Sequence, residues 1–157
     1  MIELSGVTKI YDHQVVVDDV TLSIPAGGVT SIIGANGAGK STMLSMIARL
    51  LPSDAGSITV AGMDVSTVAS DRLARHLAIL RQENHMTIDQ LSGGQRQRAY
   101  VAMVMAQDTE FVLLDEPLNN LDMKHSVHMM RLLRRAADDL GKTIVIVIHD
   151  INFASTY

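Results

Sequence analysis

Thr30-Ser31-Ile32-Ile33-Gly34-Ala35-Asn36-Gly37-Ala38-Gly39-Lys40-Ser41-Thr42 is the stretch on which the fold of this 157-residue chain turns. Its apolar run at 30–33 reads as a strand buried on both faces. A loop with three glycines follows, and then Met43, Leu44, Ile47 and Leu51 repeat at helical spacing until Pro52 stops the pattern. Glycines let successive backbone N–H groups converge on one point, a helix start adds partial positive charge, and a lysine there brings a mobile cation. Gly34 to Ser41 thus has the spacing of a phosphate-binding loop, and it stands where that chemistry requires, after a strand and opening a helix. In such a loop Lys40 reaches the β- and γ-phosphates and the Ser41 hydroxyl ligates Mg²⁺, with Gly34, Asn36, Gly37, Gly39 and Thr42 in the same cradle.

Upstream, β-forming residues cluster as Ile2, Leu4, Val7, then Val15-Val16-Val17, then Val20, Leu22 and Ile24, and close at Pro25-Ala26-Gly27-Gly28. This predicts an antiparallel β start. Downstream, the pattern predicts a strand at 57–61, a helix at 70–76 capped by Ser70 and a strand at 77–80. A helix follows from Ser92 to about Gln107, then a strand at 111–114. A long helix runs from an Asp122 cap to Leu140, with Met129, Leu132, Leu133, Ala136 and Leu140 on one stripe, ended by Gly141. A strand at 143–148 and the first turns of another helix at 151–157 complete the chain. Strands alternating with helices imply a parallel sheet. The fold class is therefore α/β: a P-loop NTPase core with a mostly parallel sheet covered by helices and an N-terminal antiparallel β region.

Two further stretches carry chemistry. Phe111-Val112-Leu113-Leu114 ends in Asp115-Glu116, at the strand tip where an open α/β sheet presents ligands to a bound nucleotide. Asp115 suits a water-mediated hold on Mg²⁺, and Glu116, one residue on and pointing elsewhere, suits polarising an attacking water as general base. Leu91-Ser92-Gly93-Gly94-Gln95 opens a helix with a hydroxyl and glycine N–H groups, a second anion-binding arrangement. Average composition gives the two motifs together a chance occurrence on the order of one in a million.

Composition narrows the alternatives. Thirteen Lys+Arg against 17 Asp+Glu, a net charge of −4, exclude a chain whose main work is neutralising nucleic-acid backbone, and no nucleic-acid partner is expected. The absence of cysteine removes disulfides and thiolate metal sites and leans toward the cytosol. The apolar run 144–148 is far short of the ~20 residues a membrane-spanning helix needs. His125 and His128 at i, i+3 lack a third ligand and read as a solvated face, as do Arg96, Arg98, Arg131, Arg134 and Arg135.

With both loops in hand, the sequence resembles the nucleotide-binding domain of ATP-binding cassette transporters along almost its whole length. The resemblance implies that Tyr11 stacks on adenine. It makes Gln82 a sensor of Mg²⁺ and γ-phosphate that links to the membrane subunits, and it places His149 against the γ-phosphate. Asn119-Asn120-Leu121-Asp122 resembles the loop that crosses to the partner subunit. It further implies ATP and Mg²⁺ as ligands and a head-to-tail homodimer in which Ser92 and Gly94 cap the ATP held by a second copy. Transmembrane permease subunits would be the other partners, with the chain cytoplasmic and peripheral at the inner face of the cell membrane. Glu116-Pro117-Leu118-Asn119-Asn120-Leu121-Asp122 and His149-Asp150-Ile151-Asn152-Phe153-Ala154 resemble bacterial importers of iron-siderophores and related chelates.

The chain departs from the family at two places. Only eight residues separate Gln82 from Leu91, where the family has a helical subdomain of several tens of residues. Only eight follow His149, where the family continues with further strand and helix. Residues 1–157 are thus expected to form a single truncated nucleotide-binding domain, with the subdomain largely absent at 83–90. Val101, Met103, Val104 and Met105 are expected to have lost packing partners with it. Two other readings stand beside the ATPase: a non-catalytic nucleotide-binding module, separable by turnover against a Glu116 control, and a chromosome-maintenance or DNA-repair ATPase, for which the chain lacks coiled-coil heptads and basic excess.

Overall fold

The computed structural model of the chain describes residues 1–81 and 91–148. Strands β1 (Ile2–Tyr11) and β2 (Gln14–Ile24) form a hairpin, followed by β3 (Gly28–Ile33), helix α1 (Lys40–Ile47), β4 (Ala55–Val60) and β5 (Met63–Asp64). Then come α2 (Ser70–His76), β6 (Leu77–Leu80), α3 (Gly93–Met105), β7 (Phe111–Asp115), α4 (Met123–Leu140) and β8 (Thr143–Ile148). Two sheets result, an antiparallel one in the order β2-β1-β4-β5 and a parallel one in the order β3-β8-β7-β6.

Period-2 alternation in β7 and β8 divides the interior. Phe111, Leu113, Val145 and Val147 face a core shared with the antiparallel sheet, α1 and α2. Val112, Leu114, Ile144 and Ile146 face a second core built with α3 and α4. Both central strands are buried at every residue, as their unbroken apolar runs foretold. The run 30–33 does not behave so: among the described residues β3 is the edge of its sheet, half-buried along its length, with Ile33 exposed.

Several boundaries and faces differ from expectation. Helix α1 ends at Ile47 because Arg49 takes a left-handed backbone (φ 54) well before Pro52. The Arg49 guanidinium then donates to the Val68 carbonyl and the Ser70 hydroxyl. That hydroxyl is thereby engaged, Ala69 rather than Ser70 takes the cap position of α2, and no side chain caps that helix. On α4 the inward stripe is Ser126, Met129, Met130, Leu133, Ala136 and Ala137, a regular i, i+3, i+4, i+7 set. Leu132 stands about 100° off the centre of that stripe and is 45% exposed, whereas Leu140 lies on it but is the last residue of the helix and is 67% exposed. On α3, Val101 and Val104 keep apolar neighbours in the second core, so only Met103 of the buried-face candidates is open to solvent. Arg96 and Arg98 are half-buried rather than solvated. Among the described residues no helix is long and apolar enough to cross a membrane. The helix expected at 151–157 lies outside the described residues.

Candidate functional site

Parallel pairing brings the carboxyl ends of four strands into line: Leu80 opposite Leu114, Asp115 opposite Val147, and Ile148 opposite Ile33. The loops that leave those ends share one edge of the sheet, the crevice where α/β sheets hold ligands. The glycine-rich loop leaves β3 there. Gly39 has φ 79, and a Cβ on it would stand 2.5 Å from the Val16 carbonyl oxygen, so only glycine lets β2 close over the loop. No side chain caps α1. Its first residue, Lys40, is buried and turns back, its Nζ donating to the carbonyls of Gly34 (2.8 Å) and Ala35 (2.7 Å). A cavity of about 550 Å³ opens over this loop, lined by Asn36, Gly37, Gly39, Lys40, Ser41 and Thr42 with Val16, Glu116 and Asn119.

A second cavity of about 310 Å³ adjoins it through Ser41 and Thr42 and is walled by Tyr11, Arg81 and Asp115. The two acids at the tip of β7 therefore address different spaces, Glu116 the first and Asp115 the second. Ser41 Oγ donates to Asp115 Oδ1 at 2.9 Å, joining the start of α1 to the tip of β7. Burial raises the Asp115 carboxyl above the ordinary carboxylate range, against the Ser41 hydrogen bond, and the Glu116 charge adds to the rise while Arg81 and Lys40 oppose it.

Glu116 is buried with a left-handed backbone (φ 53), a conformation that costs a non-glycine residue about 1–2 kcal/mol. The fold holds it there from several sides. Its N–H donates to the Val147 carbonyl at 3.1 Å, its carbonyl accepts from the Asn119 N–H at 3.2 Å, and Asn119 Nδ2 donates to its Oε2. A strained, buried acid beside a cation-lined cavity is an arrangement found at working sites rather than in solvated turns.

Ser92 and Gly94 belong to a different place. They line neither cavity; a Cβ on Gly94 would meet Leu121 Cδ2 at 3.3 Å and the Asn120 carbonyl oxygen at 3.4 Å. Ser92 closes a capping box: its Oγ accepts from Gln95 N–H at 3.3 Å, and Gln95 Oε1 accepts from Ser92 N–H at 2.9 Å. Gln82 and His149 lie outside the described residues. Val16, Arg81 and the hold of Asn119 on Glu116 were not singled out from sequence. Val16 sits in an ordinary strand pattern that carries no such signal, whereas Arg81 could have been found as the first residue after the apolar run of β6, level with Asp115.

Among the described residues, no group of three His, Cys, Asp or Glu side chains could hold a metal by itself. One hydroxyl and one carboxylate in contact beside a phosphate cradle fit Mg²⁺, which takes one or two protein oxygens and completes its shell from substrate phosphates and water.

A family profile described as ABC transporter matches residues 17–88 and 85–119, two stretches that overlap at residues 85–88. The petrobactin import ATP-binding protein YclP of Bacillus subtilis (strain 168) is 44% identical over 202 residues, covering 100% of this chain and 80% of that protein. The petrobactin import ATP-binding protein FatE of Bacillus anthracis is 47% identical over 202 residues, covering 100% and 81%. Both alignments run over 202 residues where this chain has 157, so the relatives hold several tens of residues that it lacks. The iron(3+)-hydroxamate import ATP-binding protein FhuC of Bacillus subtilis (strain 168) is 34% identical, covering 94% and 72%. Among solved structures, the dimeric ATP-binding cassette MJ0796 in a post-hydrolysis state bound to ADP and Pi superposes with a TM-score of 0.88 at 27% identity, covering 98% of this chain and 90% of that one.

Proposed function

This chain belongs to the ABC transporter family, and from that premise we propose that it binds Mg-ATP and hydrolyses it as the motor-subunit core of an importer for iron-siderophores. The observation that carries the reading is the convergence, on one cavity edge, of the glycine-rich loop with Lys40, the Ser41–Asp115 contact and the strained, buried Glu116. The siderophore assignment follows from relatives named for petrobactin and iron-hydroxamate import.

The loop N–H groups and the start of α1 take the triphosphate, and Lys40 leaves the carbonyls of Gly34 and Ala35 for the β- and γ-phosphates. Ser41 and Asp115 hold the Mg²⁺; when bound, that ion neutralises charge on the β- and γ-phosphate oxygens. Glu116 accepts the proton of the water that attacks the γ-phosphorus as the bond to the β-phosphate oxygen breaks, giving ADP and phosphate. Asn119 fixes the orientation of that carboxylate. Tyr11, across Thr42 from the loop, receives the adenine. Gln82 and His149 complete the γ-phosphate end. Ser92 and Gly94, which line neither of this chain's own cavities, serve the nucleotide of a second copy in a head-to-tail dimer, and permease subunits take the motor's stroke at the inner face of the membrane. Residues 1–157 form one nucleotide-binding domain shortened between Gln82 and Leu91.

Steady-state ATP hydrolysis measured against protein concentration tests this, because a site completed by a second copy gives turnover that rises faster than linearly. Glu116→Gln is expected to keep Mg-ATP affinity and lose turnover by roughly 10²–10⁴-fold. Hydrolysis by that variant at the parental rate overturns the general-base assignment.

A further inference from the structure

Lys9 is a buried cation that lines neither nucleotide-site cavity, 6% exposed near the end of β1. Burying an ammonium is costly unless it is well paired. Its Nζ donates to Asp54 Oδ1 at 3.0 Å and lies 5.5 Å from the centre of the Tyr11 ring. The same carboxylate accepts the Ile10 N–H on Oδ2 at 2.7 Å, and the Asp54 N–H donates to the Thr8 carbonyl at 2.9 Å. One aspartate just before β4 thus engages Thr8, Lys9 and Ile10, the three residues leading into Tyr11.

Beyond Tyr11 the chain turns at once through left-handed Asp12 and His13 (φ 44 and 68), so the ring stands at the hairpin end, 42% exposed. Such a side chain would ordinarily sample several rotamers. Here it has a cation over it, while it walls the cavity shared with Ser41 and Thr42, which Lys9 does not line. A cation on a ring draws its π density toward the bound side. The opposite face is left better matched to an electron-rich purine, and a ring fixed before the ligand arrives loses less entropy on stacking.

We propose that Lys9, anchored by Asp54, is a positioning residue that presets the Tyr11 ring as the stacking platform for the base of a purine nucleotide whose phosphates lie on the Gly34–Thr42 loop. The proposal rests on the nucleotide-site reading above and adds to it a device for the base. Asp54 supports it electrostatically: the Ile10 N–H and Lys9 hold its carboxyl below the ordinary carboxylate range.

Titration calorimetry of the full chain with Mg-ATP and with inorganic tripolyphosphate plus Mg²⁺ separates base from phosphate. Lys9→Met is expected to weaken Mg-ATP by roughly three- to tenfold and to leave tripolyphosphate within about twofold. Asp54→Asn, which keeps an acceptor for Ile10 but not the charge, should shift ATP in the same direction by less, and Lys9→Arg should restore it. In a Tyr11→Leu background Lys9→Met should have no further effect on ATP. Equal losses for ATP and tripolyphosphate, unchanged ATP affinity in Lys9→Met, or a full Lys9→Met effect without Tyr11 would each overturn the positioning role. A parent chain that binds neither ligand overturns the nucleotide-site reading and this inference with it, a result distinct from failure of the positioning role alone.

Discussion

Helix α1 begins after a left-handed Gly39 with no side chain to cap it, whereas α3 begins after Ser92 with its capping box closed. The two starts are alike in composition, each rich in glycine with a serine close by, and both read from sequence as anion sites. They differ in where the acceptors lie. At α3, Ser92 and Gln95 supply acceptors to each other's N–H groups, so two of the donors at that helix start are satisfied within one chain. At α1 the residue that could have intervened is a lysine, a donor, and it folds back onto loop carbonyls, leaving the helix start facing an open cavity. The α1 start is left open to an anion, and the α3 start is partly closed by its own side chains. The Ser92 turn keeps a hydroxyl proton to donate outward, suited to a ligand already held by something else.

Substitutions can break this contrast. Lys40→Ala should weaken Mg-ATP binding by roughly 10²–10³-fold, since it removes the only mobile cation lining the loop cavity among the described residues. Equal affinity in the variant, measured by calorimetry, would put the nucleotide elsewhere. Next comes a pair of glycines. Gly39→Ala forces a Cβ to 2.5 Å from the Val16 carbonyl at φ 79 and should cost about 3 kcal/mol in urea unfolding. Gly94→Ala brings a Cβ to 3.3 Å from a movable leucine methyl, which must give by a few tenths of an ångström, and to 3.4 Å from the Asn120 carbonyl oxygen, while gaining helix propensity, so it should stay within about 1 kcal/mol of the parent.

Ser92→Ala should cost about 1 kcal/mol of stability through the lost cap and leave nucleotide affinity of the single chain untouched. Loss of affinity comparable to Lys40→Ala would mean that the α3 start acts on its own chain's ligand. The smallest effect concerns Asp115. Its carboxyl keeps a proton to higher pH in the folded chain than in the unfolded one. The stability tied to that proton is complete below the ordinary carboxylate range and is lost as pH rises through the raised value. Asp115→Asn should therefore raise the Tm of the ligand-free chain near neutral pH and do little in acid. A gain that grows toward acid would contradict the assignment.

Much of this was legible in the sequence because it depends on local rules. The glycine-rich loop after an apolar run, the acids at the end of β7 and the Asp122 and Gly141 caps of α4 each follow from a few neighbouring residues. What escaped depends on distant contacts. Ser70 failed as a cap because Arg49, 21 positions back, takes its hydroxyl. The half-burial of β3 follows from its edge position, which no pattern of apolar residues encodes. Arg96 and Arg98 were placed on a solvated face by their charge, yet both are half-buried, Arg96 donating to the Leu91 carbonyl and Arg98 sharing a surface cavity with α4. Glu116 was assigned from its place in the string, while the left-handed turn that sends it and Asp115 into separate cavities is a tertiary result.

The order β3-β8-β7-β6 has a temporal side. Strand β3, which carries the glycine-rich loop, hydrogen-bonds only to β8 within the described residues, and the Gly27 N–H reaches the Thr143 hydroxyl across 116 positions of sequence. On the ribosome β3 is made early, and its partner emerges only after β7 and α4. Until then the loop has no sheet to hang from. Closure of such a distant pairing is slow, so the last described strand sets when this site first exists.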